Sequence, residues 1–269
     1  MTASDTASYL YAVAHAPLPD EALTGVAGVH EGPVRTVAEG TLAAVVQSVP
    51  REEFGPEALE RRLGDIAEVE RLVRAHHRVV QAVGAGTAVV PMRLATLYAD
   101  DDGVRRVLQD EAGRLDAALA RITGRAEWGV KAYGPPRTGR GRSAAADGGT
   151  GPGAGREYLL RRRAERAEAE RAHAELLESV VELDADLRAV ADDVRHLPPR
   201  PTPGAGDAAD GETNVLNASY LVAHERTDAF GAALARWADS RLRLDVGGPW
   251  VPYSFTAPEE GSDSGGAFP

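Results

Sequence analysis

At 269 residues, with 43% hydrophobic and 26% charged side chains, the chain has the composition of a globular protein with room for one large domain or two ordinary ones. It has no cysteine, which excludes disulfides, thiolate metal sites and a thiol nucleophile, and no run of about 18 apolar residues, which excludes a membrane-spanning helix. A net charge of −11 argues against nucleic acid as a partner, because that binding rests on Lys and Arg neutralising phosphates.

Asp5 stands where a signal peptide carries positive charge, and the apolar run after it is short, so the N-terminus reads as an uncleaved cytosolic start. Ser8 to Ala14 holds Tyr9, Leu10, Tyr11 and Val13, the aromatic and β-branched content of a first strand. Val34 to Val37 and Leu42 to Val49 read as two further strands joined by a Glu39-Gly40 turn. Pro56 suits a first helical turn, and Leu59, Leu63, Ile66, Val69 and Val73 then recur every three to four residues, which predicts one helix running on to Val83. Gly84 and Gly86 end it, and Ala88 to Tyr98 reads as an extended segment. Within that apolar stretch Arg93 must be paired if buried, either to an acid of the adjacent helix or as an anchor for a ligand. One carboxylate of Asp100 to Asp102 can cap a helix whose apolar positions are Val104, Leu108, Leu115, Leu119 and Ile122, with Gly124 closing it. These elements predict an α+β domain over residues 1–124.

Trp128 to Tyr133 is a strand candidate opening a second domain, 125–256. Gly134 to Gly155 is rich in Gly, Pro, Arg and Ala without apolar periodicity, which predicts a flexible insertion. Arg156 to about Leu197 reads as one long helix. Its apolar positions Leu176, Val180, Leu183, Leu187, Val190, Val194 and Leu197 are spaced alternately by four and three, a seam that either packs on its own sheet or forms a coiled-coil arm for a partner. A Pro/Gly-rich loop follows at 198–213, then a strand at Val215 to Val222 and a short helix capped by Thr227 with Phe230, Leu234 and Trp237 on one face. The order strand, helix, strand, helix, strand approaches the ferredoxin-like βαββαβ arrangement, with one strand not visible. The acidic Gly/Ser tail, 257–269, reads as disordered.

Leu242, Leu244 and Val246 alternate with charged residues as in a half-buried strand. Gly247-Gly248 interrupts the alternation and allows a bulge that changes its phase. Past it, Val251, Tyr253 and Phe255 share one side and Trp250, Pro252 and Ser254 the other, so Tyr253 and Phe255 are expected in the core and Trp250 at least partly outside it. Stiff bulky side chains at this density suit a core seal or an interface.

The stretch Gly248-Pro249-Trp250-Val251-Pro252-Tyr253-Ser254-Phe255 resembles the C-terminal signature of the gas vesicle protein F/L family, with Val251 in place of a usual proline. A second stretch is similar too: His76, Val79 and Val80 on a helix precede Val90, Pro91, Arg93 and Thr96, whereas Met92, Leu94 and Ala95 depart from the family pattern, Ala95 standing for a usual glycine. The resemblance implies an α+β N-terminal domain followed by a ferredoxin-like domain with an extended helix. It also implies a cytoplasmic accessory or minor structural protein of gas vesicles that binds the small apolar shell subunit, and other accessory proteins, during nucleation and assembly. Gly248, Pro249, Trp250, Pro252, Tyr253, Phe255, Pro91 and Arg93 are then the candidate partner-binding or signature residues.

No catalytic, cofactor or metal motif accompanies them. His76 and His77 are adjacent on a helix and point apart, Asp100 to Asp102 lacks calcium-loop spacing, and Gly148 to Gly153 lacks the ending of a phosphate loop. The competing reading is a small-molecule-binding or enzymatic module on a ferredoxin-like scaffold, which would require a pocket with convergent polar groups.

Overall fold

The computed structural model describes residues 5–18, 23–135, 154–198 and 212–256. The expected insertion, the loop after Pro198 and the tail after Thr256 lie, apart from their edges, outside the described residues. The chain is mixed α/β with two antiparallel sheets and divides into two compact units, Met1–Glu127 with Pro249–Pro269, and Trp128–Gly248. Pro249 onward thus counts with the first unit although it follows the second in sequence.

In the first unit, β1 (Thr6–His15), β2 (Val34–Glu39), β3 (Leu42–Pro50) and β4 (Val89–Pro91) form a sheet in the order β2-β3-β1-β4, and β5 (Leu97–Tyr98) pairs with the same edge of β1 as β4. Gly40 takes a φ of 58° in the β2–β3 hairpin, a left-handed angle that glycine adopts without a Cβ penalty. β1 is buried at every position from Ser8 to Ala14, which requires cover on both sheet faces. Helix α3 (Ile66–Gly84) packs on β1 and β4, and α4 (Asp101–Asp110) and α5 (Ala112–Ile122) also lie against β1.

The single helix expected to run to Val83 is broken. α1 (Arg51–Phe54) and α2 (Pro56–Leu63) come first, and Asp65 then caps α3, its carboxylate accepting from the Ala67 amide at 2.9 Å. The buried stripe is Leu72, Ala75, His76, Val79, Val80 and Val83, while Leu63, Ile66 and Val73 are exposed. A helix buries one stripe against a sheet, and six positions outweigh the scattered series from Leu59 to Val73. The extended segment at 88–98 is likewise two short strands around a turn. Val104, Leu108, Leu115, Leu119 and Ile122 are buried as expected, although Glu111 (φ −104°) divides their helix in two. Asp100 is the cap, accepting from the Gly103 amide at 2.8 Å. Asp101 fixes α4 to the sheet, accepting from Ser8 Oγ at 2.7 Å and from both terminal nitrogens of Arg35 at 2.8 Å, and this arginine holds its carboxyl below the usual range.

In the second unit, β6 (Arg125–Gly134) is followed by α6 (Ala154–Arg188), β7 (Asp193–His196), β8 (Thr213–Ala223), α7 (Thr227–Ala235) and β9 (Arg243–Trp250), with sheet order β7-β8-β6-β9. The long helix therefore stops at Arg188, nine residues before the expected end at Leu197, and Val194 belongs to β7. Pairing of Asp193 to His196 with Leu221 to Ala218 of β8 gives this short segment more backbone hydrogen bonds than a frayed last turn would. Leu176, Val180, Leu183 and Leu187 bury against the unit's own sheet and α7, with Val130, Tyr220, Val222 and Phe230. That choice settles the seam on its own sheet and rules it out as a partner surface. Thr227 lies inside α7, and Arg226 occupies the capping position without capping it, its side chain bonding instead to the Val190 carbonyl.

A polar network sits in the first core. Tyr9 Oη accepts from the Ala95 amide at 3.0 Å and donates to His76 Nδ1 at 3.0 Å, leaving His76 Nε2–H to donate to the Met92 carbonyl at 3.1 Å. Beside it, Tyr11 Oη accepts from the Val29 amide at 2.8 Å and donates to Gln47 Oε1 at 2.6 Å, and Gln47 Nε2 donates to the carbonyls of His30 and Gly32. Gly28 must lack a side chain there, since a Cβ would lie 2.3 Å from Gln47 Oε1. Burial lowers the His76 pKa to about 4 and raises that of Tyr9 to about 12.

His76 is thus neutral in the folded protein, and its folded pKa lies below the unfolded value. Above the unfolded value it is silent. Between about pH 6.5 and 4 the unfolded chain takes up a proton that the folded chain refuses, so stability falls with falling pH by up to about 3 kcal/mol. Urea melts across this range should show that slope, and His76→Gln, less stable at neutral pH, should show a shallower one; equal slopes would mean that His76 is not held neutral.

Candidate docking site

Three parts of the first unit gather the expected signature residues. The first is the turn between β4 and β5. Pro91 ends β4 in a buried position, and Thr96 Oγ1 donates to the Arg93 carbonyl at 2.8 Å. Ala95 adopts a φ of 65°, the only positive φ at a non-glycine among the described residues. The alanine thus takes the left-handed angle its glycine counterpart would favour, held there by the Tyr9 bond and by pairing of Leu10 N–H with the Thr96 carbonyl at 2.9 Å. Arg93 at the tip is exposed, and no carboxylate among the described residues pairs with it. The ion pair expected for a buried Arg93 is therefore not made, because the turn carries the side chain out of the apolar stretch.

The second part is Pro249–Thr256. Gly248 has a φ of 130°, open to glycine, and β9 ends at Trp250. The strand alternation does not continue: Val251, Pro252 and Phe255 are buried, and Tyr253 is exposed. Tyr253 N–H bonds to the Val251 carbonyl at 2.9 Å, a tight turn that breaks the two-residue period and takes Tyr253 away from the core. Phe255 is 1% exposed and Trp250 46%, the division expected for those two, but Tyr253 joins Trp250 rather than Phe255.

Three contacts seat the segment. Val251 Cγ2 occupies space that a Cβ on Gly84 would enter, at 2.4 Å, so the last residue of α3 must be glycine for the segment to lie down. Ser254 donates to the buried Glu127 carboxylate twice, from its amide at 2.8 Å and from Oγ at 2.6 Å. Tyr253 stacks on His77, rings 5.9 Å apart and 26° from parallel. Sequence reading missed Glu127, His77 and Gly84. The one signal for Glu127 was an acid beside Ala126 and Trp128 in a strand, where an unpaired carboxylate would be costly.

The third part is the outer face of α3. Ile66, Val73 and His77, seven and four residues apart, share that face, and Ile66 is 79% exposed. With Tyr253 on His77, the stripe runs from α3 onto the returning segment. A nearby depression is lined by Glu52, Glu53, Ala58, Arg61, Arg62, Asp65 and Glu68. In its wall Arg62 pairs with Glu53 and Glu68, and Arg71 and Arg62 together hold the Glu68 pKa at about 2. No group of three or more His, Asp or Glu side chains is placed to hold a metal among the described residues.

The family model described as gas vesicle synthesis protein GvpL/GvpF matches residues 7–257. The chain belongs to this family. Gas vesicle protein L of Streptomyces sp. (strain CB03234) is 34% identical over 94% of this chain and 93% of its own length, and gas vesicle protein F of the same organism 31% identical over 92% and 98%. The crystal structure of the gas vesicle protein GvpF from Anabaena sp. PCC7120 superposes with a TM-score of 0.65 at 16% identity, covering 96% of this chain and 99% of that one, and shows that the fold is shared. Among the described residues, no helix of this GvpL/GvpF family member is long and apolar enough to cross a membrane.

Two substitutions separate the roles within the signature. Phe255→Ala should cost about 3–5 kcal/mol and Trp250→Ala less than about 1 kcal/mol in denaturant melts; equal losses would make the whole signature a core seal. Ala95→Gly should raise stability by about 0.5–1 kcal/mol by removing the left-handed penalty, and a lower urea midpoint would show that the methyl packing is worth more.

Proposed function

We propose that this chain is a non-enzymatic accessory or minor structural protein of gas vesicles, working in the cytoplasm, which binds the small apolar shell subunit and supports nucleation and assembly alongside other accessory proteins. The observation that carries this reading is the apolar stripe of Ile66, Val73 and Tyr253, together with exposed Trp250, left outward by a segment that is otherwise firmly seated. Such side chains can cover apolar surface on a partner at little rotamer cost, while a net charge of −11 keeps the complex dispersed. Arg93, exposed on a turn fixed by the Tyr9 network, and Pro91 behind it offer a charged contact to the same partner.

We read the chain as two domains, the second of them ferredoxin-like. The order β6-α6-β7-β8-α7-β9 with sheet order β7-β8-β6-β9 supports that, with β7 as the strand that the sequence did not announce. A small-molecule function gains little from a depression in which Arg62, Glu53 and Glu68 already pair with one another.

Co-expression with the apolar shell subunit and recovery through a tag on this chain should yield the pair. Ile66→Asp with Trp250→Ala should abolish recovery while circular dichroism and the urea midpoint stay close to the parent. Undiminished recovery would move the contact elsewhere, and no recovery with the parent chain would remove the reading.

A further inference from the structure

The outward face of α6 carries a second apolar series, distinct from the seam buried on the sheet. Leu160, Ala167, Ala174, Leu177 and Val181 are all exposed, and Arg163 and Glu170 fill the gaps between them. The spacing from Leu160 to Val181 is three, four, three, four, three, four, the register of a coiled-coil contact line. The buried residues Leu176, Val180, Leu183 and Leu187 lie on the other side of the same helix, so the unit's own core cannot cover this line.

The charges say what can. From Arg156 to Arg166 the helix has five arginines against two glutamates, and from Ala167 to Asp186 seven acids against one arginine. This is the reverse of what the helix dipole favours, since the basic residues crowd its positive end. An antiparallel copy of the same helix would set acidic stretch against basic stretch, and a parallel copy like against like.

We propose that two copies of this chain pair through α6 in antiparallel register, about a two-fold axis beside Glu170 and Arg171. That axis places Leu160 opposite Val181 of the second copy, Ala167 opposite Ala174, Arg163 opposite Glu178 and Glu170 opposite Arg171. Each of these pairs recurs in the opposite direction, as a two-fold contact requires, and Leu177 falls opposite Ala164 of the second copy. The alanines at the centre allow close approach, and the leucines and valines close both ends. Arg163, Glu170 and Glu178 have no ion-pair partner within the chain among the described residues, and the pairing supplies one to each.

The chain has no native cysteine, which makes a cross-linking test direct. Glu170→Cys in the full chain should form a disulfide-linked dimer on mild oxidation. Leu160→Cys and Val181→Cys should each stay free of disulfide-linked dimer alone but cross-link when mixed. Efficient self-linking of Leu160→Cys would overturn the antiparallel register. Sedimentation should show dimers of the unmodified chain, with Leu177→Asp monomeric at unchanged helical content. Arg163→Glu should weaken dimerisation about tenfold, and combination with Glu178→Arg should restore it. A monomer at about 100 µM would overturn the proposal outright.

Discussion

The seating of residues 249–256 depends on one pair of hydrogen bonds, from the amide and hydroxyl of Ser254 to the carboxylate of Glu127. A carboxylate buried in β6 must have its oxygens satisfied, and Ser254 reaches both of them. Satisfying it draws the chain back to the first unit after β9. Val251 then meets Gly84, where even one added carbon would collide, and Phe255 is carried into full burial. The same turn that brings Ser254 to Glu127 rotates Tyr253 outward onto His77. The exposed aromatic surface is therefore a consequence of how the segment is held.

The first core has a comparable logic. Tyr9 serves two masters, the imidazole of His76 on α3 and the amide of Ala95 in the turn that carries Arg93. Helix, strand and turn are thus fixed by one hydroxyl. An alanine can stay at a φ of 65° there because the bonds on either side leave it no alternative. The turn is stiff without glycine, and Arg93 projects from a defined position.

Much of this was legible in the sequence where local pattern and tertiary demand agree. β1, the β2–β3 hairpin, the buried positions of α4 and α5 and the seam from Leu176 to Leu187 follow from periodicity alone. The failures are instructive. Leu63, Ile66 and Val73 carry helical spacing as good as that of the buried stripe, so the pattern could not say which face the sheet would take. β7 was invisible because Asp193, Val194, Arg195 and His196 have one apolar residue among them and exist as a strand only through pairing with β8. Tyr253 was misplaced because strand alternation was extended through a turn set by a carboxylate over a hundred residues away. Glu127, Gly84 and His77 were missed for the same reason: each acquires its role only when the chain end arrives.

The gas vesicle family relationship fits a protein that leaves an apolar stripe uncovered. The most direct test of the seated segment is native-state hydrogen exchange at the Ser254 amide. If the Glu127 clamp holds the segment as part of the first unit, this proton should exchange only with global unfolding, as slowly as the amides of β1. Exchange through local fraying, orders of magnitude faster than β1, would show that the segment is a loosely attached tail and that its aromatics owe nothing to the carboxylate beneath them.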